Sequence, residues 1–348
     1  MKKVAFLPFL FTATITMCQQ ATEITVANSS RQKSIERFTD RFFIWPLIKY
    51  RTVNFTLQQQ TNSSNKLNYR PNNSVGMGFG FYLFEVGAEF TFAVPVQAER
   101  VSLFGKTKAQ DLQLNLLGKT WGLDLFYQRY NGFYMDDPNA KITPGLAFPQ
   151  RPDLATRNLG INGLYILNKN FSLRSAYNFS ERQLKSAGSF LVAGTLNFYT
   201  VGGDSALYSK KYNSIFGEPS AFSKLSINTF SVSPGYSYTQ VIRRFFVNAS
   251  FSIGPAYHSI SYEVNGQELK ASTLNSFLDV RAGIGYNSNR FFCGINLVNQ
   301  SRIIKFESIQ FTTSSSTIKI LLGYRFKEFG VLKKRALDIV PVLVPTRK

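Results

Sequence analysis

The sequence feature that most constrains the fold is an alternation of glycine with large apolar residues. Residues 74–82 read Ser-Val-Gly-Met-Gly-Phe-Gly-Phe-Tyr. Side chains alternate between the two faces of an extended strand. One face therefore carries Val75, Met77, Phe79 and Phe81, and the other carries Gly76, Gly78 and Gly80. A bulky apolar face backed by small residues is typical of a lipid-facing strand, although a soluble sandwich also has one apolar face.

The alternation recurs along the chain and predicts about thirteen strands. Two of them are residues 53–57, with Val53, Phe55 and Leu57 assigned to the lipid face, and residues 171–179. Bacterial single-chain barrels normally have an even number of strands. Either a further strand lies near residues 206–215, or one candidate is not a barrel strand. We expect about 12 strands, with about 14 as the alternative.

The spacing of the strands predicts how they are joined. Short connections are expected at residues 167–170, 240–244 and 287–290, and long polar ones at 135–153, 201–224 and 262–271. Short periplasmic turns and longer outer loops are typical of outer-membrane barrels. Strands can cross hydrocarbon only as a closed sheet, because every backbone group must be paired internally. The predicted fold class is all-β, an antiparallel transmembrane β-barrel, and a soluble barrel or sandwich with a Phe-rich core is the rival.

The N-terminus has the pattern of a secretory signal peptide. Lys2 and Lys3 precede a short apolar run and a zone of small and polar residues that ends near Cys18. Lipidation of Cys18 is an alternative that the bulky Met17 disfavours. We expect a signal peptide at 1–18, an N-terminal periplasmic segment at 19–50, the barrel at 51–326 and a C-terminal tail at 327–348. The predicted location is the cell outer membrane, with multiple crossings.

The net charge indicates which partners to expect, and the cysteine content indicates whether disulfides form. The net charge is +20. Export argues against nucleic acid, and a basic surface suits anionic lipid head groups. We therefore expect outer-membrane lipid, lipopolysaccharide and the barrel-insertion machinery as partners, and no nucleic acid. Without residues 1–18 only Cys293 remains, so no internal disulfide is expected.

Three segments carry a resemblance to a known family. They are residues 67–72 with the glycine strand, residues 181–190, and residues 234–238 with 245–248. Together they resemble an uncharacterised Bacteroidetes outer-membrane family, the domain of unknown function numbered 4421, over about residues 35–326. The resemblance implies an outer-membrane barrel and no known activity. Outer-membrane proteins often end on a strand whose last residue is aromatic, as Phe326 would be, but Lys327 to Lys348 follow it here.

The sequence offers little for catalysis. His258 is the only histidine, so a site with two histidine ligands is impossible, and we expect no metal, no cofactor and no enzyme activity. A Ser–His hydrolase would need His258 beside a lumen serine such as Ser250 or Ser252. The Gly203-Asp204-Ser205 triplet lies in a long loop and matches hydrolases by chance. The glycine strand is not a dinucleotide fingerprint, because no helix follows it.

Charged residues on the predicted inner face are the better clue to function. They are Glu85, Glu89, Asp111, Asp124, Arg174, Asp279, Arg281, Lys319 and Arg325. In a narrow barrel these charges would pair and fill the interior, whereas in a wider one they would line a path for solutes. We expect a structural or ligand-binding outer-membrane barrel with a polar, charge-paired lumen. A pore for small solutes is the alternative, and an outer-membrane lipid hydrolase is the second.

Overall fold

The computed structural model of the chain describes residues 31–38, 40–83, 86–217 and 221–327. The predicted signal peptide and most of the tail lie outside these residues. The strands of the described part are β1 (Ile35–Arg37), β2 (Arg41–Gln59), β3 (Lys66–Arg70), β4 (Gly76–Leu83), β5 (Val86–Ala93), β6 (Lys108–Leu117), β7 (Trp121–Asp136), β8 (Gln150–Ile166), β9 (Glu181–Gln183), β10 (Ala187–Gly202), β11 (Lys224–Ile242), β12 (Phe245–Val264), β13 (Gln267–Asn287), β14 (Phe291–Phe306) and β15 (Ile309–Lys327). Short helices span Ala98–Phe104, Arg174–Tyr177 and Asn213–Phe216, and a 3-10 helix spans Lys210–Tyr212.

Ten antiparallel strands form a closed ring. Their order is β2, β3, β7, β8, β10, β11, β12, β13, β14 and β15, and β15 pairs with β2 along almost its whole length. β3 and β4 pair one after the other with the same edge of β2. Tyr69 of β3 lies opposite Phe55, and Tyr82 of β4 lies opposite Phe43. The prediction of an all-β antiparallel barrel is confirmed, but the expected number of 12 strands is wrong for the closed ring.

The two remaining long strands explain that difference. β5 pairs with β4, and β6 pairs with β7, but β5 and β6 do not pair with each other in the described part of the chain. The ring closes beyond them through three residue pairs, in which Asn68–Arg70 of β3 meet Tyr134–Asp136 of β7. The alternation in β5 and β6 is real, but these strands lie beside the closure rather than within it.

The alternation of the strands reverses part of the way along the barrel. In β11, Phe230 and Val232 are 53% and 45% exposed, while Ser231 and Ser233 between them are buried. Nearer the start of the same strand the order is opposite, because Leu225 is buried and Lys224 is exposed. The barrel therefore has a zone with an apolar outside and a polar inside, and a mouth zone with a polar outside and an apolar core.

The two zones help to distinguish a transmembrane barrel from a soluble one. A soluble barrel buries its apolar face, whereas a transmembrane barrel turns that face to lipid. Exposed apolar side chains cover the first zone, as Phe190, Phe251 and Ile295 illustrate. The mouth zone follows the soluble pattern, so Val53, Phe55 and Leu57 lie in its core. Their assignment to the lipid face is wrong, because β2 extends beyond the apolar band.

Segments of the chain fill both ends of the ring. At the end where Arg41 pairs with Lys327, residues 31–38 and 167–186, here called the inner plug, pack inside, with β1 paired to β9. At the other end, residues 203–217 and 221–223, here called the mouth plug, pack against the apolar core of the mouth zone. The expected strand at 171–179 is wrong, because this segment turns into the lumen and contains the helix Arg174–Tyr177.

Three other expectations about connections and bounds change. The suggested strand near residues 206–215 is wrong, since this part of the mouth plug holds a 3-10 helix and a short α-helix. The expected long loop at 262–271 is strand, because Asn265 and Gly266 both have positive φ and make a two-residue hairpin turn. The first barrel strand begins at Arg41, inside the segment expected to be periplasmic, because residues 41–50 pair with β15 and β4.

The glycine strand is β4, and its small face gives room to a tryptophan. A Cβ atom on Gly80 would lie 2.1 Å from a ring carbon of Trp45, which projects inward from β2. On Gly78 a Cβ would lie 1.8 Å from the backbone oxygen of Phe90 on β5. Trp45 in turn donates a hydrogen bond from Nε1 to Glu89 at 3.3 Å. Gly80 thus leaves room for the Trp45 ring against the inner wall of the barrel.

We expect Gly80→Ala to destabilise the barrel by about 1–3 kcal/mol, because the added methyl group overlaps the Trp45 ring. Urea unfolding of the refolded protein in detergent, followed by gel mobility without heating, measures the change. The control is Gly194→Ala on β10, where nothing lies within 4 Å of the added carbon. Adding Trp45→Leu to Gly80→Ala should restore stability. An unchanged midpoint for Gly80→Ala would contradict the packing argument.

Candidate functional site

A network of hydrogen-bonded salt bridges crosses the lumen and forms the centre of the candidate site. The Arg281 guanidinium on β13 donates from Nε to Asp279 at 2.9 Å and from a terminal nitrogen to Asp124 at 2.7 Å. Asp124 lies on β7, and β7 and β13 are five positions apart in the ring of ten. The Arg281–Asp124 contact therefore bridges opposite walls of the ring at this level.

Amide side chains extend this network around the wall. Asp279 also accepts hydrogen bonds from Asn162 at 3.3 Å and from Gln300 at 2.9 Å. Asp279 and Arg281 are both buried, and each makes several polar contacts. Buried ions are tolerated when they are paired and when hydrogen bonds occupy their remaining sites. The network is therefore able to hold the interior in one arrangement.

A second group of charges ties β5 and β6 to β2. Glu89 on β5 forms ion pairs with Lys49 of β2 and with Lys319 of β15, the latter at 2.8 Å. Asp111 on β6 pairs with Arg51 of β2 at 3.2 Å and accepts a hydrogen bond from Tyr130 at 2.8 Å. Lys49 and Arg51 are two residues apart, so both project inward. These contacts join side chains where the two strands lack backbone pairing.

The inner plug is organised around one buried carboxylate. Glu181 is fully buried and meets Arg31 at 2.9 Å, Arg174 at 3.5 Å and Arg37 at 3.7 Å. Arg174 also donates to the Tyr82 hydroxyl on β4 at 2.8 Å. The carboxylate therefore joins residues 31–38 to the 167–186 connection, and the arginine joins the plug to the wall.

Arg325 holds the inner plug from the last strand, with no carboxylate partner among the described residues. Its guanidinium donates to Asn287 at 2.9 Å and to the backbone oxygens of Phe179 and Ser288. It also lies over the rings of Phe38 and Phe292, at 3.9 and 4.5 Å from their centroids. Carbonyl groups and aromatic faces together replace the hydration that a buried cation loses.

The mouth plug is fixed by polar contacts at its rim. Tyr69 donates to the backbone oxygen of Leu207 at 2.6 Å, and Arg151 donates to the same oxygen at 2.7 Å. The Tyr212 hydroxyl donates to Asp137 at 2.8 Å. Burial and this hydrogen bond raise the pKa of Tyr212, so the hydroxyl keeps its proton at neutral pH.

His258 lies in the wall between the two zones and has no lipid access. It is 0% exposed, and its Nδ1 is 2.8 Å from the Thr229 hydroxyl on β11. No contact joins it to Ser250 or Ser252 in the described residues. Ser205 of the loop triplet accepts a hydrogen bond from Arg151 at 3.2 Å and belongs to the mouth rim. This arrangement gives no support to a surface hydrolase.

The structure places the predicted lumen charges in three groups. Glu85 lies outside the described residues. The central groups hold Glu89, Asp111, Asp124, Asp279, Arg281 and Lys319, and the inner plug holds Arg174 and Arg325. Sequence reasoning missed Lys49, Arg51, Glu181 and Arg302. The period-2 pattern of β14 continues past Asn296 to Gln300 and Arg302, and following it that far would have found Arg302.

No group of three or more His, Cys, Asp or Glu side chains in the described parts of residues 31–327 is placed to hold a metal ion. None of the helices there is both long and apolar enough to cross a bilayer.

Comparison with known proteins gives one family and several folds. The profile of the family described as "Domain of unknown function (DUF4421)" matches residues 32–326. No curated protein sequence matches the chain.

Three solved structures illustrate the similar folds. The translocator domain of autotransporter NalP from Neisseria meningitidis has 8% identity and a TM-score of 0.32, covering 88% of this chain and 95% of its own. OmpT of Vibrio cholerae has 10% identity, coverage of 82% and 98%, and a TM-score of 0.26. Ail of Yersinia pestis has 10% identity, coverage of 82% and 99%, and a TM-score of 0.19. At these scores the similarities carry no functional conclusion.

We expect Asp279→Asn to lower the free energy of unfolding by about 3 kcal/mol, because it removes one partner from a buried ion pair. Arg281 keeps Asp124, which limits the loss. Urea unfolding in detergent measures the effect, and Asp40→Asn is the control, since the Asp40 side chain is 71% exposed. Equal unfolding midpoints for the two variants would contradict a stabilising role for the central group.

Proposed function

Because the chain belongs to the family of unknown function DUF4421, which brings no assigned activity, we propose a function from geometry alone. The protein is an outer-membrane β-barrel with a sealed lumen, and its role is structural or ligand-binding rather than that of a pore. The contact between Arg281 and Asp124 across the lumen carries this proposal. It stands together with the two plugs, which occupy both ends of the ring.

Placement in the outer membrane is supported by two features. The ring has an even number of strands, and an apolar band surrounds one zone. The polar exterior of the mouth zone suits water above a lipid surface. In this placement the mouth plug faces outward, and the inner plug and both described chain ends face the periplasm.

The partners follow from that placement. Outer-membrane lipid contacts the apolar band, and lipopolysaccharide meets the basic surface at the rim, where anionic groups attract Lys and Arg. The barrel-insertion machinery delivers the chain. Ligand binding, where it occurs, takes place at the mouth or within the enclosed interior, since a through path is closed.

We expect the refolded full-length protein to give no stepwise current in planar lipid bilayers, because buried side chains close the lumen at several levels. An open porin reconstituted in the same way is the positive control. Current steps in the wild-type protein, with an ion preference that changes in Lys319→Glu, would establish the pore alternative. The absence of current steps in both the wild-type and the Lys319→Glu protein, with current in the porin control, supports a sealed barrel.

A further inference from the structure

Arg302 is the one strongly basic side chain of the described interior without a hydrogen-bond acceptor. It lies on β14 and is 1% exposed, and its Nε and one terminal nitrogen have no partner among the described residues. The central arginines and lysines have carboxylates, and Arg325 has carbonyls. The nearest aromatic support for Arg302 is the ring of Phe277, whose centroid is 5.2 Å away.

Several other unpartnered polar atoms lie around this guanidinium. Thr313 is the direct cross-strand neighbour of Arg302 on β15, and its hydroxyl has no partner. The Tyr199 hydroxyl on β10 and His258 Nε2 on β12 are also buried without partners. Tyr199 packs against Phe311, the inward neighbour of Thr313, with ring centroids 6.0 Å apart, and the charge of Arg302 acts on both Tyr199 and His258. Four strands thus contribute unsatisfied polar groups to one region.

The region is enclosed on both sides. Ile304 and Phe311, the inward neighbours of Arg302 and Thr313, belong to the apolar core of the mouth zone. Gln300, the other inward neighbour of Arg302, is hydrogen-bonded to Asp279. The region therefore lies at the boundary between the polar lumen and the apolar mouth, with side chains on both sides of it.

Electrostatics select the charge of that species. An arginine side chain does not lose its proton in a protein, and a buried ion without a counter-charge carries a large desolvation cost. Buried polar groups in native proteins are almost always satisfied by protein, water or an ion. When Thr229 donates to His258 Nδ1, Nε2 carries the ring proton, so the region presents mainly donors. Donors around a fixed positive charge are complementary to an anion.

We propose that Arg302, with Tyr199, His258 and Thr313, forms a buried binding site for a small inorganic anion of halide size. The proposal rests on the sealed lumen described above, because an open lumen would bathe Arg302 in water. The anion is acquired as the barrel folds and closes over it. The site therefore stabilises the junction between the two zones of the barrel.

The test uses bromide as the probe on the full-length protein refolded in detergent. Refolding in sodium bromide should raise the Tm saturably relative to sodium gluconate at equal ionic strength, since gluconate is too large to be enclosed. A ligand that binds only the folded state stabilises it in this way. Crystals grown from bromide should show an anomalous peak in contact with the Arg302 guanidinium.

Matched variants separate this site from general salt effects. Arg302→Gln should abolish the bromide-dependent rise in Tm, and Tyr199→Phe should reduce it. Arg157→Gln is the control, because Arg157 lies exposed outside β8 over the ring of Tyr127. An equal rise in Arg302→Gln, or bromide peaks only on the protein surface, would overturn the proposal. Bilayer currents would instead count against the sealed lumen, so the two failures are distinguishable.

Discussion

Backbone pairing at the closure of the ring is the constraint on which the other features depend. Hydrocarbon offers no partner to an unpaired N–H or C=O group, so a sheet within it must close. The β2–β15 pairing closes one side over a long run, from Ile309–Gln59 to Lys327–Arg41. The β3–β7 contact closes the other side over three pairs, which lie in the mouth zone, whereas β5 and β6 in the apolar band are not paired with each other in the described residues. Between β5 and β6, side-chain contacts must therefore hold the wall together.

The reversal of the alternation follows from the length of the strands. A transmembrane β-strand needs about 9–11 residues, and β12 and β13 have 20 and 21. In the proposed membrane placement the remaining part of each strand stands in water, where each face must meet the opposite requirement. Polar residues then belong outside, and the inside must bury an apolar core. The mouth plug supplies part of that core, which is why a long loop folds inward instead of extending into solvent.

Much of the barrel was predictable from local pattern, because a period of two directly reports which residues share a face. The outward faces of β4, β10 and β12 follow it, and so do short turns such as residues 287–290. The pattern alone does not identify which face meets lipid, so Val53, Phe55 and Leu57 were misplaced. The strand predicted at 171–179 is wrong for a related reason, because the apolar residues that this segment buries in the lumen have the alternating spacing of a strand. The joining of Arg281 to Asp124 depends on ring size, which no local pattern contains.

The position of the charges near β5 and β6 supports the proposed structural role. Glu89 and Asp111 lie on the two strands that do not pair with each other, and both reach cations on β2. The cations are inward neighbours on one strand, so a single rigid element holds both edges from inside. Lumen charges of a conducting path would face water and keep hydration, whereas these carboxylates are mostly covered and engaged. The same residues that suggested solute passage in the sequence therefore act to secure the part of the wall where backbone pairing is absent.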